Sequence, residues 1–111
     1  MAERDYLGEL ELMIMLAVIH LDDEAYGVPV CRELEKHRNR EVSVSSVYAA
    51  LDRLETKGLI SSRLGEATQE RGGRAKRYFQ VTKEGLRIVH ETRRILTSMW
   101  RRLPKLEGEI I

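Results

Sequence analysis

The sequence predicts a mostly α-helical fold with one two-stranded β-hairpin, finished by a long C-terminal helix. Three observations carry that reading. Four stretches repeat apolar residues at helical spacing. Between the third and fourth, "LISSRL" and "KRYFQVT" have strand composition and flank a glycine-containing turn. A chain of 111 residues has room for one modest core and no second.

The first stretch covers residues 7–21. It begins amphipathic, with Leu7, Leu10 and Ile14, and becomes apolar on every side through "LMIMLAVI". A helix apolar all round must be covered all round. Either it sits at the centre of one chain, or a second copy covers it. The run is too short for a membrane span, which needs ~20 residues. The second helix starts near Tyr26, with Ala25, Val30, Cys31 and Leu34 on its apolar side and Pro29 in its first turn. There the backbone N–H groups lack intrahelical partners anyway.

The third helix, "SVSSVYAALDRLETKGLI", carries the strongest signal. Ser43 is placed to cap it, and Val47, Leu51 and Leu54 form one stripe. Gly58 supplies the stop, with Lys57 beside it suited to the helix dipole. The opposite face presents Ser45, Ser46, Tyr48, Ala49, Asp52 and Arg53. Small residues let a helix backbone approach a groove, and hydroxyls with free helix N–H groups are good phosphate ligands. The fourth helix runs over residues 83–103. Leu86, Val89, Leu96, Met99 and Leu103 form its seam, flanked by Ile88, Ile95 and Trp100. So wide a stripe on a helix attached to a complete small domain calls for a second subunit, with first and last helices at the interface.

Charge is unevenly spread. The chain holds 19 Lys and Arg against 18 Asp and Glu, yet residues 1–42 are net acidic and residues 43–105 net basic. A basic segment inside a neutral total suits a polyanionic partner. Its densest part is the hairpin tip, where Gly72 and Gly73 sit among Arg71, Arg74, Lys76 and Arg77. Charged tips keep loops soluble, and alone this one would need no other explanation. Three helices followed directly by a hairpin with a basic tip, however, is the order of a winged helix-turn-helix. In that fold the third helix enters the major groove of double-stranded DNA and the wing follows the neighbouring backbone. The domain reading is 1–82 for the winged unit and 83–111 for the dimerisation helix and tail.

No catalytic set is recognisable: there is no nucleophile with a base, no phosphate-binding glycine loop and no metal-ligand spacing among His20, His37 and His90. No cofactor is called for. Cys31 is the single cysteine, which excludes an intramolecular disulfide, fits a reducing cytoplasm and suits a small buried hydrophobe. The polar N-terminus is unlike a secretory leader. The competing function class is an interaction module, a winged helix that binds protein or RNA, which would expose apolar residues on the third helix.

The chain resembles the PadR family of bacterial transcriptional regulators. The resemblance rests on "LGELE" at 7–11, "YG" at 26–27, "VYAALDRLETKGLI" at 47–60 and "GRAKRYFQVTKEG" at 73–85. It implies a dimeric DNA-binding repressor released by a small molecule. It also implies DNA-facing roles for Tyr48, Arg74, Lys76 and Arg77. Asp52 departs from the family pattern, where a basic residue is common, and Ala49 and Ala75 replace prolines. An effector would be sought where Met13, Met15, Met99 and Trp100 meet, because Met with Trp makes an adaptable apolar lining.

Overall fold

Helix α1 (Glu9–Leu21) is the pillar of the molecule: α2 (Gly27–Arg38), α3 (Val44–Thr56) and α4 (Lys83–Trp100) all pack against it. The computed structural model describes residues 6–65, 75–101 and 103–105. Helix α1 sits at the centre of the one chain, as one of the two readings has it. Ile14, Met15, Ala17 and Val18 are buried within this one chain, while Leu16 and Ile19 stay nearly half exposed on the outer side. A single 3-10 turn, Asp22–Glu24, leads into α2.

Local chemistry sets the helix ends. Pro29 falls in the first turn of α2, and Asn39 ends that helix in the left-handed conformation (φ 56°), its N–H donating to the Glu35 carbonyl. Asparagine tolerates that geometry better than most residues. The Glu35 carboxylate then accepts from the Val42 N–H at 3.0 Å and fixes the short turn into α3. Ser43 caps α3 by accepting from the Ser46 N–H at 3.3 Å. Val47, Ala50, Leu51 and Leu54 form its fully buried stripe. Gly58, at φ 78°, turns the chain into β1 (Ile60–Leu64). Cys31 is buried beneath α2. Desolvation, reinforced by the charge of Glu35, pushes its thiol pKa up, so it stays protonated and serves as a small hydrophobe.

β1 pairs antiparallel with β2 (Arg77–Val81) in the register Ser62↔Phe79 and Arg63↔Tyr78. Ile60 and Phe79 turn into the core, and the Phe79 N–H donates to the Ala25 carbonyl at 2.8 Å, seating the hairpin against the entry to α2.

The joint between α3 and α4 is tight. Thr82 caps α4 by accepting from the Gly85 N–H at 3.0 Å, and its hydroxyl donates to the Gly58 carbonyl at 2.7 Å. Its own N–H donates to the Leu59 carbonyl. A side chain at Gly85 would collide with that same carbonyl, so only glycine lets the two elements meet here. The buried face of α4 is Gly85, Ile88, Val89 and Thr92. Thr92 Oγ1 accepts from the Leu7 N–H at 3.1 Å, tying the start of the described chain to α4.

This corrects the seam expected from the sequence. Leu7, Ile14 and Val89, assigned there to a subunit interface, lie in the chain's own core, and Leu86 faces outward. The packing face is rotated because two of its members, Gly85 and Thr92, are small or polar and add nothing to an apolar count. The helix runs unbroken to Trp100, and residues 103–105 are again helical.

Candidate nucleic-acid interface

Opposite the buried stripe of α3, Ser45, Ala49 and Asp52 follow one another at helical spacing along an exposed ridge. Ser43, Ser46 and Tyr48 flank its N-terminal half and are also exposed. The Ser43 and Ser45 hydroxyls are 2.9 Å apart, so that end of the helix is lined with hydroxyls. Tyr48 is 37% exposed. Its hydroxyl lies directly over Gly27, where a side chain would overlap the phenol, so the ring leans on the first residue of α2 with its edge open to solvent. Arg53 sits on the other flank, where α1 draws it: Glu11 of α1 lies 4.0 Å from its Nε and 3.0 Å from Lys57 Nζ.

The hairpin has two chemically different faces, and alternation along β2 separates them. On the outer face the Lys76 ammonium stands 4.4 Å over the Tyr26 ring and the Arg63 guanidinium 4.9 Å over the Tyr78 ring. The two tyrosines meet edge to face at 5.5 Å. Aromatic faces hold cations by their quadrupole, worth ~0.5–1 kcal/mol at exposed sites, without neutralising them. Among the described residues neither Lys76 nor Arg63 has a carboxylate partner.

On the inner face each nitrogen of the Arg77 guanidinium has a partner. Its Nη1 donates to Asp52 at 3.0 Å, its Nη2 to Glu55, and its Nε to the Ser62 hydroxyl at 3.2 Å. The guanidinium also lies 4.9 Å over Phe79. Ser62 in turn donates to Glu55 at 2.7 Å. That hydrogen bond, against the opposing effect of desolvation and with help from Arg77, holds the Glu55 carboxyl below its ordinary range. Burial works to lower the Arg77 pKa, but hydrogen bonds and charge from Asp52 and Glu55 outweigh it and keep the guanidinium firmly protonated.

Of the residues singled out in the sequence, the structure brings Ser43, Ser45, Ser46, Tyr48 and Ala49 onto one exposed surface beside the hairpin. Lys76 stands on the hairpin's outer face and Arg77 on its inner face. Arg71, Gly72, Gly73 and Arg74 lie outside the described residues. Arg63, Tyr26 and Tyr78 were missed. Only the strand register reveals that Arg63 and Tyr78 stand side by side. The residues proposed for an effector pocket do not converge within one chain. Met15 is enclosed in the core, and Met13 lines a groove between α1 and α2. Trp100 lines a separate apolar groove of about 340 Å³ between α1 and α4, with Leu12, Leu16, Val89 and Leu96. Among the described residues no group of three His, Cys, Asp or Glu forms a metal site, and no helix is long and apolar enough to cross a membrane.

The description "Transcriptional regulator PadR-like family" matches residues 15–91, which holds the whole of α2, α3 and the hairpin. The chain belongs to the PadR-like family of transcriptional regulators. Solved structures agree. A PadR-like transcription factor from Bacteroides fragilis is 29% identical, with a TM-score of 0.64 over 92% of this chain and 89% of that one. A PadR family transcriptional regulator from Eggerthella lenta is 27% identical, with a TM-score of 0.60 over 92% of this chain and 85% of that one. A transcriptional regulator from Clostridium thermocellum, 22% identical, shares the fold with a TM-score of 0.69 over 86% of this chain and 89% of that one. None of the curated proteins matches the chain. Membership makes DNA-binding regulation the function of this winged fold.

Proposed function

We propose that this PadR-like regulator acts as a homodimeric repressor on double-stranded DNA. Helix α3 enters the major groove by its Ser45–Ala49 ridge. Tyr48 and the capping hydroxyls of Ser43 and Ser46 hold phosphates, and the wing cations Arg71, Arg74, Lys76 and Arg63 follow the flanking backbone. The observation that carries this reading is the pairing of a small, hydroxylated, exposed helix end with cations that no carboxylate neutralises among the described residues. A module built to bind protein would show large apolar side chains along that ridge; Val44, in the first turn beside it, is the exposed aliphatic of α3.

The dimer rests on the far half of α4. Met99 is 72% exposed and Trp100 66%, and Trp100 lines the apolar groove with Leu16 and Leu96, open among the described residues. Two-fold pairing there sets two α3 helices on one face, so the operator is a pseudo-palindrome with half-sites about 34–36 Å apart or a multiple of it. A small apolar or aromatic cationic effector would enter beside Trp100 and release the DNA. Footprinting upstream of the protein's own gene tests the reading directly. A protected palindrome supports it, and protection of no sequence over random DNA refutes it. Release is tested by titrating candidate compounds while following Trp100 emission together with DNA binding. Quenching without release would leave only an incidental cavity.

A further inference from the structure

Asp52 presents a problem for any DNA-facing role of α3. It lies on the exposed ridge between Ala49 and the wing, with its side chain 62% exposed, and a bare carboxylate there would repel phosphate. Arg77 reaches it across the hairpin. The same guanidinium binds Glu55 one turn further along α3 and Ser62 on the neighbouring strand, so three of its nitrogens are committed within the protein. One cation faces two anions, which leaves the cluster without positive charge to offer a phosphate backbone. A planar fork on three partners fixes direction as well as distance. We propose that Arg77 is a positioning residue: it clamps the wing to α3 at a set angle and masks Asp52, while the phosphate contacts of the described wing belong to Arg63 and Lys76 of its outer face.

The inference rests on the DNA-binding reading and departs from the phosphate role that family resemblance gives Arg77. The two roles differ in what they do to selectivity. A phosphate contact acts on every sequence alike, and its loss lowers the slope of log K against log salt by about 0.9. A clamp sets whether α3 and the wing can fit one duplex together, so its loss falls on the preferred sequence.

The test uses the full chain with two probes, a duplex enriched from a random pool by the wild-type protein and an unselected duplex of equal length. The readout is the ratio of the two affinities and the salt slope of each, with melting temperature checked in parallel. Arg77→Lys keeps the charge but not the fork, and Asp52→Asn removes the charge of one of its two carboxylate partners. For a clamp, both variants lower the affinity ratio, by about fivefold, the double variant loses little more than either alone, and Arg77→Lys leaves the salt slope unchanged. Arg77→Lys with full affinity, or Asp52→Asn that tightens both probes equally, would overturn the proposal in favour of a phosphate contact. An unchanged ratio in both variants overturns it as well. If the wild type enriches no sequence, the DNA reading itself fails, and that result is distinct from any outcome among the variants.

Discussion

The winged body and the far half of α4 spend their apolar residues in opposite ways. From Leu7 to Val89 nearly every large aliphatic side chain of the inner faces is buried within the chain, with Ile14, Leu51 and Leu54 wholly enclosed. Beyond Thr92 the balance reverses: Leu96 is half-buried, and Met99 and Trp100 stand mostly in water. The same helix thus belongs to two structures. Its first half completes a domain, and its second half leaves Met99 and Trp100 exposed among the described residues. Changes to the two halves should therefore have separable consequences.

The largest effect is expected in the enclosed half. Leu51→Ala should cost about 2–5 kcal/mol of unfolding free energy, the usual range for emptying a packed site. Met99→Ala should stay within about 0.5 kcal/mol at concentrations too low for association. Denaturant titration of both variants checks the contrast, and equal losses would erase it.

Next, Leu96→Asp combined with Met99→Asp should keep helical content while abolishing self-association, and should lower operator affinity about a hundredfold through loss of the second half-site. Sedimentation and anisotropy read the two quantities on the same samples. A folded monomer that binds the operator as tightly as wild type would break the link between this surface and DNA.

The wing sharpens the comparison on a smaller scale. Lys76→Ala and Arg74→Ala should each weaken selected and unselected duplexes together and reduce the salt slope by about 0.9. Tyr48→Phe should cost about 1–3 kcal/mol of DNA affinity if its hydroxyl reaches a charged phosphate oxygen. It should cost none if the ring only packs over Gly27, and a titration of both duplexes distinguishes the two.

The smallest effect is on pH. Arg87 beside Glu84 and Arg94 beside Glu91 supply the hydrogen bonds that lower those carboxyls, as Ser62 and Arg77 do for Glu55. A carboxyl lowered by folding contributes stability above its unfolded value, ordinarily near 4.3, and that contribution disappears as pH falls through the folded value. Stability should therefore be flat through neutrality and decline only below about pH 4.5, by a small amount for such exposed pairs. A melting series across that window checks it, and a decline beginning near pH 6 would point to histidine instead.

Much of this was legible in sequence where the cause is local. Ser43 announces the start of α3 because a cap needs only its own helix, and Gly58 announces its end because only a glycine settles easily at that backbone angle. Cys31 reads correctly as a small buried group. The orientation of α4 was not legible, because the residues that seat it are Gly85 and Thr92, whose contribution is closeness and one hydrogen bond rather than apolar bulk. The Arg77 cluster was hidden for a different reason. Its partners stand 15, 22 and 25 positions away and meet only once the hairpin has folded onto α3. Composition marked Arg77 as one more wing cation, and pairing shows where its charge is spent.

The tight seat of Thr82 and Gly85 against Gly58 and Leu59 has a mechanical consequence. Helix α4 is 18 residues long, roughly 27 Å at 1.5 Å per residue, and its first half is held both at this joint and along Ile88, Val89 and Thr92. Its free arm is the stretch from Thr92 to Trp100, roughly 12 Å at 1.5 Å per residue. A sideways push of roughly 2 Å at Trp100 turns such an arm by about 10°, and a stiff seat passes that strain towards α3 rather than absorbing it. Loosening the joint, as Thr82→Ala would, should leave both ends intact and disconnect them.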